Sequence, residues 1–234
     1  MAGTDFHSQP TSDAMKLTLF DLDHTLLSGD SDVLWCDFLV QRGVLENQTF
    51  VARNAEMDAQ YRAGTADVHE FSNFYVSPLA GRSVAQWEPL RQQFLADEIR
   101  PRIAPDALAL LQRHQNAGDL VVLTTAANRF ITALTAQLLG IEHLLATEPE
   151  LEAGYFTGRT TGILNMRQGK VTRLHAWLAG RGQTLAEFDS TAYSDSINDL
   201  PLLQAVNHPV AVNPDLRLLA QAQQRGWPVL YLRH

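Results

Sequence analysis

Cysteine is nearly absent from this chain. Cys36 is the only one among 234 residues, so no intrachain disulfide can form and nothing favours an oxidising compartment. A buried thiol is the expected state of that residue. Basic residues are outnumbered, 18 Lys and Arg against 26 Asp and Glu, for a formal charge of −8. That balance argues against a nucleic-acid partner, which needs a basic face. No apolar run approaches the ~20 residues of a membrane span, so no membrane partner is expected. Internal repeats and low-complexity stretches are missing too. Residues 1–13 are polar, contain Pro10 and lack an apolar centre; they read as a disordered tail, neither signal peptide nor anchor, and the protein as cytoplasmic. Nothing in the sequence sets the oligomeric state.

The chemistry is concentrated in acidic residues at the ends of apolar runs. Met15 to Phe20 is such a run, and it stops at Asp21 and Asp23. In extended chain, alternate side chains share a face, which would aim both carboxylates at one place. Like charges that close repel unless a cation or a shared proton holds them. A polar turn after an edge strand is the plainer alternative. A second acidic cluster, Ser194-Asp195-Ser196-Ile197-Asn198-Asp199, follows another short strand. A helical start there would put Asp195 and Asp199 on one face, or Asp195 could be an N-cap. Carboxylate oxygens from two strand ends suit magnesium, which keeps several waters and takes few protein ligands. Thr124 and Thr125 end a third apolar run, Leu120 to Leu123. Their side chains alternate, so one hydroxyl would face the site and the other would be strand filler. Lys170 follows Gly169 and opens a helical pattern with Leu174 and Leu178. Beside several carboxylates and a phosphate dianion, a fixed cation is chemically required; away from them it would be a solvated helix residue.

The periodicity predicts an α/β fold. After the first strand, residues 29–101 carry helical patterns, including Val33 to Arg42 and Val84 to Ala96, and no strand pattern. This block is expected to be a helical cap inserted into a core formed by 14–28 and 102–234, in keeping with a chain long enough for a core domain plus a small second one. Pro101 and Pro105 mark the return, and Ala107 to Gln115 is a helix closed by Gly118. Strands are predicted at 120–125, 144–147, 191–194, 209–212 and 228–232, and helices at 130–139 and 171–178. Tyr155 to Thr161 reads as a hairpin turn. Strands alternating with helices imply a Rossmann-like, doubly wound parallel sheet with its ligand at the carboxyl ends of the strands.

Phe20-Asp21-Leu22-Asp23-His24-Thr25, then Thr125, Lys170 and Ser194 to Asp199, resemble the four ordered motifs of the haloacid dehalogenase superfamily. The resemblance spans residue 15 to the C-terminus, apart from the cap. The flanks, Thr125-Ala126-Ala127-Asn128-Arg129-Phe130 and Tyr193 to Pro201, are similar to a subfamily IB branch that includes phosphoserine phosphatases and histidinol-phosphate phosphatases. The chain departs from the phosphoserine phosphatase pattern at Thr125, where serine is usual, and at Asp30, where Glu is.

The resemblance implies a magnesium-dependent phosphatase of a small phosphomonoester. Asp21 would be the nucleophile forming an aspartyl phosphate, and Asp23 the general acid and base. Asp21, the main-chain carbonyl of Asp23 and Asp195 would be the metal ligands. Thr125 and Lys170 would hold phosphate oxygens, with Asp199 orienting the metal or Lys170. His24 has no assigned chemistry. Asp30 would contact an amine or imidazolium on the substrate, while Asp30 or Asp32 alternatively caps the first cap helix, Asp32 being the more natural cap. Asn198 could reach a ligand, and Arg129 or Arg53 a second anionic group. A phosphotransferase to an acceptor alcohol, or a non-catalytic phosphate- or metal-binding module, are the other readings.

Overall fold

The structure, a computed structural model, describes residues 15–45 and 48–233. The expected tail over 1–13 lies outside the described residues. Strand β1 (Met15–Phe20) is followed by four helices, α1 (Ser31–Gln41), α2 (Gln48–Ala63), α3 (Val68–Val76) and α4 (Val84–Phe94), before α5 (Pro105–Asn116) leads into β2 (Leu120–Asn128). Then come α6 (Arg129–Leu138), β3 (His143–Glu152), β4 (Tyr155–Thr161) and α7 (Gln168–Ala179). The chain closes with β5 (Phe188–Ser194), α8 (Leu200–Ala205), β6 (His208–Val212), α9 (Leu216–Arg225) and β7 (Val229–Leu230). The strands form one seven-stranded sheet in the order β4-β3-β2-β1-β5-β6-β7. All neighbours are parallel except β3 and β4.

This topology decides where chemistry can sit. β1 lies between β2 and β5, and the chain moves outward on the β2 side before crossing to β5. The carboxyl ends of β1 and β5 therefore flank a switch point, the usual ligand crevice of an open parallel sheet. Each face of the sheet is covered. Leu17 and Leu19 of β1 pack with Val122, Val171, Leu174 and Leu178. Phe20 points the opposite way and packs with Leu110, Leu111 and Phe130, as strand alternation requires.

The helical block does not stand apart from the sheet. Trp35 of α1 is fully buried against Trp87 and Phe94 of α4 and Phe130 of α6, at ring separations of 5.8, 5.1 and 6.3 Å. Aromatic pairs of this kind each add about 0.5–1.5 kcal/mol beyond burial. A smaller cluster joins Cys36, Met57, Phe71 and Tyr75 of the block to Ala126 and Met166. Burial there pushes the Cys36 thiol well above its ordinary pKa, which keeps it a packed, unreactive side chain.

Two predicted elements are corrected. Tyr155 to Thr161 is a strand, not a turn; the hairpin turns at Ala153 and Gly154, both with positive φ (50° and 85°). A two-residue loop with both central φ positive matches the twist of the strands it joins. At the other edge, the segment predicted as strand 228–232 pairs only over Val229–Leu230. Pro228 has no amide proton to extend the ladder.

Candidate active site

Just past β1 the chain coils tightly on itself. The Leu22 carbonyl accepts from the amides of Thr25, Leu26 and Leu27, and His24 adopts φ +56°. The coil buries Thr25 and leaves Asp21 and Asp23 facing inward, Asp21 at 6% exposure. The Asp21 amide donates to the Tyr193 carbonyl at 3.0 Å, which locks this turn to β5.

Lys170 meets this turn from the first turn of α7. Its Nζ lies 2.7 Å from Asp21 Oδ1 and 2.6 Å from Asp199 Oδ2, and the side chain is 1% exposed. Gly169 before it is needed for close approach, since a Cβ there would stand 2.0 Å from the Leu164 carbonyl oxygen. Burial alone would push the lysine down, but the Asp199 and Asp21 carboxylates more than offset it and hold it above its ordinary pKa. Asp199 also accepts from Ser194 Oγ at 2.8 Å. Its place is to hold the lysine.

Asp195 is not a helix cap. Ser196 Oγ takes the Asn198 amide and Asp215 takes the Ile197 amide. Asp195 Oδ1 and Asp21 Oδ2 instead both contact Thr25 Oγ1, at 3.4 and 3.5 Å. These are long contacts, yet they bring the two carboxylates to one hydroxyl. Asp23 Oδ1 accepts from the Ser31 amide at 2.8 Å, and its Oδ2 lies 3.4 Å from Thr125 Oγ1. Thr124 turns the other way and accepts from Asn165. Of the two threonines, Thr125 faces the acids.

The acids carry more negative charge than their surroundings absorb. Burial, only partly countered by Lys170, raises Asp21 to about 7. Burial together with Asp30 and Asp21 holds Asp23 well above the ordinary carboxylate range. Burial, Asp21 and Asp199 do the same to Asp195. Such a cluster is short of positive charge, and hard oxygen donors short of positive charge fit a magnesium ion. Among the described residues no group of three or more His, Cys, Asp or Glu side chains is gathered as a metal-binding set. The expected set is consistent with that, because it takes only two side chains, Asp21 and Asp195, and one main-chain carbonyl.

The four residues expected to contact substrate each have protein partners here. Asn198 donates to the Tyr61 carbonyl at 2.8 Å and accepts from Arg167 at 3.1 Å, so its amide joins α2 to the site loop. Arg129 lies against Glu148 (2.8 and 2.9 Å) and the Leu144 carbonyl, committed to β3. Arg53 is paired with Glu56 and Glu70. Asp30 is the N-cap of α1, accepting from the Val33 amide at 3.0 Å. Asp32, expected in that role, is buried and accepts from Asn128 at 2.8 Å. Asp30 is 7% exposed, and burial lifts it to about 6, with the Val33 amide opposing and Asp58 adding to the rise.

A cleft of about 360 Å³ is lined by Asp195 of the acidic cluster, by His24 and Ser196, and by Tyr61 and Arg62 of α2. The Tyr61 phenol is pushed well above its ordinary pKa, by burial first and then by Asp199, Asp21, Asp195 and Asp30. Arg62 Nε is paired with Asp58 at 2.9 Å. Neither residue announces itself in the sequence, where both are ordinary positions of a polar helix.

A profile of the haloacid dehalogenase-like hydrolases matches residues 18–204. The chain is 40% identical over 217 residues to a histidinol-phosphatase of Neisseria meningitidis, covering 92% of this chain and 98% of that protein. It is 33% identical to a phosphoserine phosphatase of Mycobacterium tuberculosis, over 97% of this chain and 74% of the other. Among solved structures, a Bordetella pertussis protein described as of unknown function superposes with a TM-score of 0.87 at 42% identity, covering 93% and 98% of the two chains. A substrate-bound phosphoserine phosphatase superposes at 0.68 with 17% identity, covering 94% of each, which reflects a shared fold. The match over most of the chain, on a fold that gathers three motifs at strand ends and Lys170 from the start of α7, means that this protein belongs to the haloacid dehalogenase-like hydrolase family.

Proposed function

We propose that this protein is a magnesium-dependent phosphatase of a small, amine-bearing phosphomonoester, acting through an aspartyl phosphate on Asp21. The observation that carries the reading is the buried Asp21–Lys170–Asp199 arrangement beside a second, protonatable acid, Asp23. Lys170 holds Asp21 Oδ1, which leaves Oδ2 for in-line attack on phosphorus. Asp23, whose carboxyl burial and its acidic neighbours hold above the ordinary carboxylate range, donates a proton to the leaving alcohol oxygen. It then takes a proton from the water that hydrolyses the acyl phosphate. The Thr125 hydroxyl, 3.4 Å from Asp23, and Lys170 bind phosphate oxygens. Asp21, Asp195 and the main-chain carbonyl of Asp23 would hold magnesium, which would supply the positive charge that lets an anionic nucleophile meet an anionic phosphate.

We assign 29–101 as the cap and 14–28 with 102–234 as the core, and place the reaction in the cytoplasm, in keeping with a single, buried cysteine. Asp30, with Asp58 nearby in charge, suits a cation on the leaving group. Arg62 is already paired with Asp58, so a substrate carboxylate would have to compete for it. Both features, with the similarity to a histidinol-phosphatase, favour histidinol phosphate over phosphoserine. Phosphate release from histidinol phosphate, phosphoserine and glycerol phosphate, with magnesium, tests this. The expected order of kcat/KM is as written. Absence of release from every ester refutes the phosphatase reading, and preference for glycerol phosphate refutes the amine.

A further inference from the structure

Arg167 occupies a backbone position that suits glycine. Met166 to Gly169 form a turn closed by a 2.8 Å bond from the Gly169 amide to the Met166 carbonyl. Arg167 stands at its second position with φ 51° and ψ −125°. That conformation belongs to the first central residue of a type II′ turn, where a side chain is strained. Strain retained in a fold invites the question of what the side chain does.

The Arg167 guanidinium joins three separate pieces of chain. One terminal nitrogen donates to the carbonyls of Gly64 and Ala66, at 2.9 and 3.0 Å, just past the end of α2. Its Nε donates to Asn198 Oδ1 at 3.1 Å. Asn198 in turn donates to the Tyr61 carbonyl at 2.8 Å, and Arg217 donates to the Ala63 carbonyl. The last carbonyls of a helix lack partners within it and form the negative end of its dipole. Here the Ala63 and Tyr61 carbonyls are met by Arg217 and the Asn198 amide, and Arg167 holds the Gly64 and Ala66 carbonyls just beyond them. Arg167 stands three residues before Lys170, and Asn198 is next to Asp199, which holds that lysine. Tyr61 and Arg62, on the turn so gripped, line the same cleft as Asp195.

We infer that Arg167 is a positioning residue for leaving-group recognition: acting through Asn198 and the end of α2, it holds Tyr61 and Arg62 in register with the Lys170–Asp199 pair. This rests on the phosphatase reading above. The strained backbone is the consequence of putting a forked cation where only its two-sided reach spans both partners. The clasp ties the wall that reads the alcohol to the residues that hold the phosphate, without touching the phosphorus chemistry itself.

Arg167→Gly separates this role from a merely structural one, because glycine relieves the turn while removing the clasp. Thermal unfolding of the variant is expected at or above the wild-type temperature. Amide exchange over residues 58–66 should rise at least tenfold, with that of α7 changing much less. Relative to wild type, kcat/KM should fall at least tenfold further on histidinol phosphate than on phenyl phosphate, chiefly through KM. Arg167→Lys, which keeps charge but lacks the fork, should show the same exchange and the same selective loss in smaller measure, and it serves if the glycine variant does not fold. Unchanged exchange over 58–66 in a folded variant overturns the clasp. Equal losses on both esters overturn the recognition role and leave Arg167 a general support of the site. A wild-type enzyme that releases no phosphate from either ester refutes the phosphatase reading instead, and the exchange result still decides the clasp.

Discussion

Replacing Lys170 by methionine tests the electrostatic logic of the site at its centre. Methionine has a similar length, so packing is nearly kept while the charge is lost. Lys170 is 1% exposed, with Asp21 Oδ1 at 2.7 Å and Asp199 Oδ2 at 2.6 Å. Without it, Asp199 retains only the Ser194 hydroxyl among its side-chain partners. Breaking a buried ion pair by removing one member costs about 3–5 kcal/mol, because the other charge is left buried and unpaired. In a chain of this size that corresponds to roughly 6–20 °C in Tm. The loss should be largest near pH 8. In the wild-type fold Asp21 titrates at about 7, above its ordinary 3.8. The native chain therefore binds more protons than the unfolded one between those values, and its stability falls as pH rises through them. Lys170 is one of the groups restraining that rise; removing it moves Asp21 further up and steepens the slope. The lysine itself, raised in the fold, stays charged in both states between pH 5 and 8 and adds no slope there. Melting curves in chelator-treated protein from pH 5 to 8 provide the assay. Adding Asp199→Asn to Lys170→Met should recover much of the loss, since a neutral amide leaves no orphaned charge. A Lys170→Met cost under about 1 kcal/mol at pH 8, or one that does not shrink on acidification, refutes the reasoning.

Asp21→Asn should fold like wild type and lose turnover by at least about 10⁴-fold, the scale of losing a nucleophile; residual rates within tenfold of wild type argue against an aspartyl phosphate. Exhaustive chelation should abolish phosphate release, magnesium and manganese should restore it, and calcium should inhibit through its looser, higher-coordinate geometry; full activity after chelation rules out the assigned metal role. Asp30→Asn keeps a capping oxygen for α1 while removing the charge, so Tm should shift little while kcat/KM on an amine-bearing ester falls on the order of ten- to a hundredfold more than on a neutral one. A large Tm loss with equal kinetic losses would make Asp30 a helix cap alone.

What could be read from the sequence was what local chain chemistry dictates. An apolar strand that stops at two acids announces a strand-end site, and the parallel sheet then brings Asp21, Thr125 and Ser194 to one edge, through β1, β2 and β5. Alternation left Thr124 and Thr125 equivalent, and the structure separates them by partners from distant chain, Asn165 for one and Asp23 for the other. The edge strands were misread for a local reason too. Tyr155 to Thr161 reads as a turn in sequence, while the Ala153–Gly154 pair immediately before it holds the real one.

Polar side chains with reach were the illegible part, since a long side chain's partner is set by topology and not by its neighbours. Arg129 sits beside a catalytic motif in sequence, yet its head group lies on Glu148 of β3. Asn198 belongs to a motif loop, yet its amide is bound to the end of α2, 137 residues away. Arg167 carried no sequence signal, because an arginine before Gln-Gly-Lys looks like any solvated turn residue. Only φ at that position and the two carbonyls 103 and 101 residues away show that it links the start of α7 to the segment just past α2. The division has a physical basis. Phosphoryl chemistry needs hard oxygen donors and one fixed cation at strand ends, which a short motif can encode. On the inference above, recognition of the leaving group is built from α2, Asn198 and Arg167, so its residues acquire meaning only once the fold has closed the distance.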